Sequence, residues 1–212
     1  MQTFDRVAIK AEAKNKFYQN RSACISMALA GAVAQLILTG VSAGFLSVLL
    51  SGIIAITLGC FYLRVWREDA CSVGEAVSAV FDDGFLRKLG GMLWMQLKVF
   101  LWSLLFIIPG IIKSLGYALT PFILNEYPNI PAMEASRISE RMMRGHKMDL
   151  FITELSFLGW ELLSALTFGI VYVLFAGSYM GLTYAGIYDE LKQLALEEGV
   201  VTPAELDGHI TY

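Results

Sequence analysis

Four charged residues stand inside otherwise apolar segments: Lys98, Lys113, Glu154 and Glu161. An ionised side chain at the centre of an inserted helix costs about 2.5–3.5 kcal/mol, so such residues turn to a partner or to an aqueous cavity. Two chemistries suit them. One is a charged pathway for a proton, an ion or a polar headgroup. The other is a buried ion pair that fixes helix register. Lys98 and Glu154 fall about 14 Å and about 6 Å into their segments at 1.5 Å per residue. A helical side chain leans toward the N-terminus of its own helix, so these two are expected partners. Glu161 lies one heptad beyond Glu154, roughly on the same face, within reach of Lys98 or Lys113. Lys113 follows Pro109-Gly110, and its long stem predicts snorkelling to the outer surface.

A second set of cations has a different character. Arg137, Arg141 and Arg144, spaced four then three, share one helix face, and Lys147 follows them. Ala135, Ile138 and Met142 line the opposite side. Such a helix can lie in a membrane interface with its basic face on anionic headgroups. The plainer alternative is the basic flank of a membrane span. Gly177, Gly181 and Ala185 recur every four residues, a spacing that lets helices approach closely, within one chain or between copies.

The remaining reactive residue types form no constellation. Cys24, Cys60 and Cys71 are odd in number and make no CxxC pair, so they read as small packing residues and not as a zinc site or a disulfide. His146 reads as a loop or capping residue. Asp82-Asp83-Gly84 reads as the end of an amphipathic helix. No HExxH, GxxxxGK[ST], GxSxG or dinucleotide fingerprint is present, and no cofactor or metal is expected. The expectation is a protein that is not an enzyme.

The elements that must position these residues follow from composition. Hydrophobic residues make up 56% of 212, and charged residues only 17% against about 25% in a soluble domain. The mean hydropathy is +0.58. The 42 residues between Arg21 and Arg64 carry no charge, and a run of about 18 already reads as a membrane span. On composition the chain reads as neither an ordinary soluble domain, a disordered chain nor a nucleic-acid binder. The polar stretch before the first apolar segment is too long and too mixed for a signal peptide, so that segment is expected to be retained.

Hydropathy places six spans at 23–39, 45–63, 89–108, 111–127, 150–166 and 169–188. Tight turns at Gly40 to Gly44, Pro109-Gly110 and Thr167-Phe168-Gly169 pair them into three helical hairpins. Amphipathic helices at 5–19, 70–83 and 131–144 precede the hairpins. Of the 35 charges, 31 fall in the four segments on one side of this arrangement and none in the three turns, which places both termini in the cytoplasm. The pattern divides 1–192 into units of about 1–66, 67–128 and 129–190. Glu75-Ala76 and Glu134-Ala135 are matched at an offset of 59. Residues 193–212 form a polar cytoplasmic tail, expected to fray past Gly199.

Several strings carry a resemblance. They are Leu104-Leu105-Phe106-Ile107-Ile108-Pro109-Gly110-Ile111-Ile112-Lys113, Tyr117-Ala118-Leu119-Thr120-Pro121-Phe122-Ile123-Leu124 and Met142-Met143-Arg144-Gly145-His146-Lys147. Ser156-Phe157-Leu158-Gly159-Trp160-Glu161-Leu162-Leu163 and Leu166-Thr167-Phe168-Gly169-Ile170 continue it. With them the chain resembles the bacterial integral membrane family known as domain-of-unknown-function family 975, over about 1–192 and most strongly over 100–190. Ser178-Tyr179 departs from the Pro-Tyr pair the family pattern leads one to expect. The resemblance implies a multi-pass protein of the bacterial cytoplasmic membrane and brings no activity or catalytic residue.

The sequence reading is therefore an all-α polytopic membrane protein of six transmembrane helices. Its expected role is a non-catalytic scaffold that organises lipids or partners. The expected partners are anionic headgroups at the cytoplasmic face, with a membrane-protein partner or a second copy, and no nucleic acid. The alternative is a small transporter or channel that uses Lys98, Glu154 and Glu161.

Overall fold

The chain is described by a computed structural model over residues 4–41, 45–69, 71–82, 84–105 and 107–208. The first helix, α1 (Arg6–Gln19), starts where Asp5 accepts hydrogen bonds from the Val7 and Ala8 amides at 2.9 and 3.1 Å. These are two of the donors that a helix start leaves open. The uncharged run forms α2 (Arg21–Val41) and α3 (Phe45–Trp66). A reciprocal capping box opens α4 (Val73–Asp82): Ser72 and Glu75 each accept the other's amide hydrogen, at 3.2 and 3.1 Å. There follow α5 (Phe85–Leu105), α6 (Ile107–Tyr117), α7 (Thr120–Glu126) and α8 (Ala132–Met142). Gly145, at φ +88°, makes the turn into α9 (Lys147–Leu166). A π-helical turn (Tyr172–Ala176) leads into α10 (Gly177–Glu197), and α11 (Pro203–Leu206) closes the described chain. Among the described residues all regular structure is helical, so the all-α reading stands.

The six-span reading does not. No helix among the described residues is long and apolar enough to cross a membrane. This overturns the polytopic architecture, the multi-pass placement in a cytoplasmic membrane and the orientation drawn from charge. Particular segments show why hydropathy overstated the spans. The segment 111–127 is divided between α6 and α7, of 11 and 7 residues, far short of the ~20 a crossing helix needs. Residues 89–105 of the third segment belong to a helix that includes Arg87, Lys88, Gln96 and Lys98. The segment 169–188 starts in a turn, passes through the π-helical stretch and merges into a helix that continues to Glu197. Lys113, expected at an outer surface, meets Glu140 of α8, which was placed on the inner one. The two sides inferred from charge are thus in contact.

The turns are corrected in part. Pro109 and Gly110 lie inside α6, not in the connection that precedes it. Gly110 is there because a Cβ at this position would stand 2.9 Å from Ser103 Cα, so only glycine lets α6 lie this close to α5. Gly40 falls inside the last turn of α2, and Gly44 lies outside the described residues. Phe168 and Gly169 hold positive φ values of 51° and 85°, and the Gly169 amide donates to Ser164 O at 2.7 Å, closing α9 as a left-handed cap.

The core sits where α1, the second half of α3, α7, α8 and α10 converge, around Phe17, Phe61, Leu119, Ile123, Ile138 and Tyr188. Ala76 and Ala135, the pair matched at an offset of 59, are both fully buried. The described part of the tail, to Gly208, packs onto the core. Gly199, at φ +67°, ends α10, and the Val200 and Val201 amides both return to Ala195 O. Val201 and Leu206 are buried. Away from this core, large apolar side chains face outward: Leu29, Val33 and Leu36 on α2, Phe100 and Leu104 on α5, and Leu155, Leu158 and Leu162 on α9.

Candidate ligand groove

A groove of about 1420 Å³ lies between α2 and α3 on one side and α9, the segment 168–174 and α10 on the other. Its origin is a contrast in side-chain size. Ala28, Gly31, Ala32, Ala55, Gly59, Gly177 and Gly181 contribute little bulk, while Leu36, Leu58, Leu155, Leu158 and Phe168 raise the rims. The Tyr172 and Tyr62 rings occupy the space beside Gly177 and Gly181. Phe168, at the rim, is 98% exposed, a position that costs apolar surface unless something covers it.

Two acids enter this apolar space from α9, Glu154 and Glu161. Their seven-residue spacing puts them on one face of the helix. The Tyr184 hydroxyl on α10 donates to Glu154 Oε1 at 2.9 Å. Burial, joined by the charge of Glu161, lifts the Glu154 carboxyl above its ordinary range, and the Tyr184 hydrogen bond only partly offsets this. Burial and both acids push the Tyr184 phenol upward as well. The Tyr62 hydroxyl and Ser178 Oγ are 3.3 Å apart, and Ser178 donates to Cys24 O at 3.0 Å, joining α3, α10 and α2 beneath the groove. No lysine or arginine is among the described residues that line it.

The other intrahelical charges lie elsewhere. Lys98 donates to Ser136 Oγ at 2.9 Å and stands over the Trp94 and Tyr117 rings at 5.3 and 5.2 Å. It does not pair with Glu154. Lys113 pairs with Glu140 at 2.5 Å, close to the same Tyr117 ring, and not with Glu161. The hydrogen bond to Glu140 holds the Lys113 ammonium above its usual value, whereas burial and the Arg137 charge lower that of Lys98. The four expected members of one network thus divide into two acids at the groove and two lysines on the α5–α6–α8 surface.

The basic face of α8 is largely committed within the chain. Arg137 pairs with Glu134 at 3.2 Å, Arg141 with Glu205 of the tail at 3.0 Å, and Lys147 turns its ammonium against the backbone of Gly116. Arg144 is exposed. The small-residue stripe packs within the chain. Gly181 receives the face of the Tyr62 ring, a Cβ at Gly177 would meet the Tyr172 ring at 2.9 Å, and Ala185 is fully buried.

One cluster escaped the sequence reading. Arg67 donates to both oxygens of Glu126 at 3.1 and 3.2 Å and to Asp189 Oδ1 at 2.7 Å. Tyr188 and Lys192 donate to Glu126 at 2.6 and 2.9 Å. A signal was available: Arg67, Glu126 and Asp189 each stand at the end of the second apolar segment of a unit, with opposite charges. Beside this cluster α1 acts as a strap, with Arg6 3.8 Å from Asp149, Lys10 bonded to Ser156 and the Asp5 amide bonded to Glu190.

Residues 104–195 match the sequence model of the family described as "Protein of unknown function (DUF975)". The matched family is the one the strings of this chain resemble, and most of the groove's α9 and α10 walls fall inside the match. No curated protein and no solved structure matches the chain.

Proposed function

We propose that this is a non-catalytic lipid-organising protein whose groove holds the apolar chain of a lipid. The observation that carries the reading is the groove itself. Ligand sites for drug-sized molecules span about 300–1,000 Å³ and are mostly apolar with a few polar groups. A groove of about 1420 Å³ lined mainly by alanine, glycine and leucine, with two acids, three tyrosines and Gln35, has that composition at a volume that accommodates a long chain. The reading requires no helix to cross a bilayer.

The test is to isolate the full chain without added lipid and weigh it under native conditions. A bound lipid at about one per chain is expected. It should be lost in Ala32→Trp, which places a large ring in the groove, while the melting temperature stays near that of the parent. An empty parent chain, or equal occupancy of the variant, would count against the reading.

A further inference from the structure

We propose that the groove selects amphiphiles with a cationic headgroup, an amine or a quaternary ammonium, over anionic ones. This rests on the groove reading above and adds the class of ligand. Three observations converge. Glu154 and Glu161 project from the same face of α9 into an otherwise apolar lining. They are about 10 Å apart along the helix at 1.5 Å per residue, so one headgroup can lie between them. Among the described residues no cation is paired with Glu154: its hydrogen-bond partner is Tyr184 and its charged neighbour is Glu161. Elsewhere in this chain the carboxylates of Glu126, Glu140 and Glu205 each have a lysine or arginine within 3.2 Å. The groove acids are left with complementary charge to be supplied from outside.

The ring faces add to this. Tyr172 and Tyr184 line the same groove and keep part of their rings exposed, and aromatic faces attract ammonium groups, more strongly where water is excluded. The chain already uses that chemistry, with Lys10 4.8 Å above the Phe157 ring. An anionic headgroup would face two carboxylates, with the Tyr184 hydroxyl already given to Glu154 and only uncharged donors, Gln35 and the other tyrosine hydroxyls, elsewhere in the described lining. The arrangement therefore rejects one sign of charge as well as attracting the other.

The experiment uses the full chain, kept in solution by a nonionic amphipathic polymer, and three twelve-carbon probes below their critical micelle concentrations: the trimethylammonium, the carboxylate and the neutral maltoside. Calorimetric titration at neutral pH should give at least tenfold tighter binding of the trimethylammonium than of either comparator, weakening as salt rises. Glu154→Gln with Glu161→Gln should remove that preference and leave the maltoside unchanged. Glu161→Gln alone, at an exposed position, should reduce it about threefold. Equal binding of the three probes, or a preference that survives both substitutions, overturns the charge selection while the groove reading stands. Failure of all three to bind overturns both.

Discussion

The Tyr184 hydroxyl lies 2.9 Å from Glu154 Oε1 and joins α10 to α9 across the floor of the groove. The bond has a thermodynamic consequence. Burial and Glu161 lift the Glu154 carboxyl above its ordinary value of 4.5, so the folded chain binds that proton more tightly than the unfolded chain. The stability this contributes is full below 4.5 and is lost as pH rises through the lifted value. Glu154→Gln should flatten the dependence of melting temperature on pH above 4.5. Tyr184→Phe removes the one group that holds the carboxyl down and should raise its titration further, read by carboxyl carbon NMR.

Arg67 shows the opposite sign. Burial pushes the Glu126 carboxyl up, but the hydrogen bonds from Arg67, Tyr188 and Lys192 prevail and hold it below 4.5. The stability from that bonding is present above 4.5 and is lost as pH falls through the depressed value. Arg67→Met leaves two half-buried acids facing each other. Breaking a fully buried pair costs about 3–5 kcal/mol. Arg67 keeps 30% of its side-chain exposure, and solvent screening reduces the expected loss to about 2 kcal/mol near neutral pH. Denaturant unfolding of parent and variant at neutral and acid pH should show the difference shrinking toward acid.

Gly181 admits the Tyr62 ring, whose Cγ would lie 2.9 Å from an added Cβ. Gly181→Ala should therefore destabilise by about 1–3 kcal/mol through overpacking. Tyr62→Leu made in the same chain should recover part of that loss, a coupling that a double-mutant cycle measures.

Lys113 and Glu140 test the contact between α6 and α8. Both side chains are about a quarter exposed, so their coupling energy should fall near 0.5–1 kcal/mol and weaken in high salt. A coupling of zero would show that this pair contributes nothing to holding α6 against α8.

Helix positions were legible in the sequence because apolar periodicity and caps are local. The segments 5–19, 70–83 and 131–144 correspond to α1, α4 and α8, and Asp5, Ser72-Glu75 and Gly145 mark the boundaries expected of their residue types. Spans were not legible, because hydropathy averages over a break. The span placed at 111–127 runs across Pro121, yet residues 118–119 separate α6 from α7. Partners were not legible either. Depth along a helix says how far a side chain sits from an end, but not which neighbour it faces, so Lys98 found Ser136 and Glu154 found Tyr184. The acids of the groove were visible as anomalies in an apolar segment. The groove itself arises from alanines and glycines brought together by three helices, and no single stretch of sequence carries it.

The most direct test of the central claim, that the groove holds an apolar chain, is photolabelling with a sixteen-carbon amphiphile carrying a diazirine at mid-chain, followed by mapping of the modified residues. The account predicts insertion at Ala32 and Leu36 of α2 and at Leu155 and Leu158 of α9, abolished by Ala32→Trp. Labelling spread equally over the exposed apolar residues Phe100 and Leu104 of α5, and unaltered by that substitution, would contradict it.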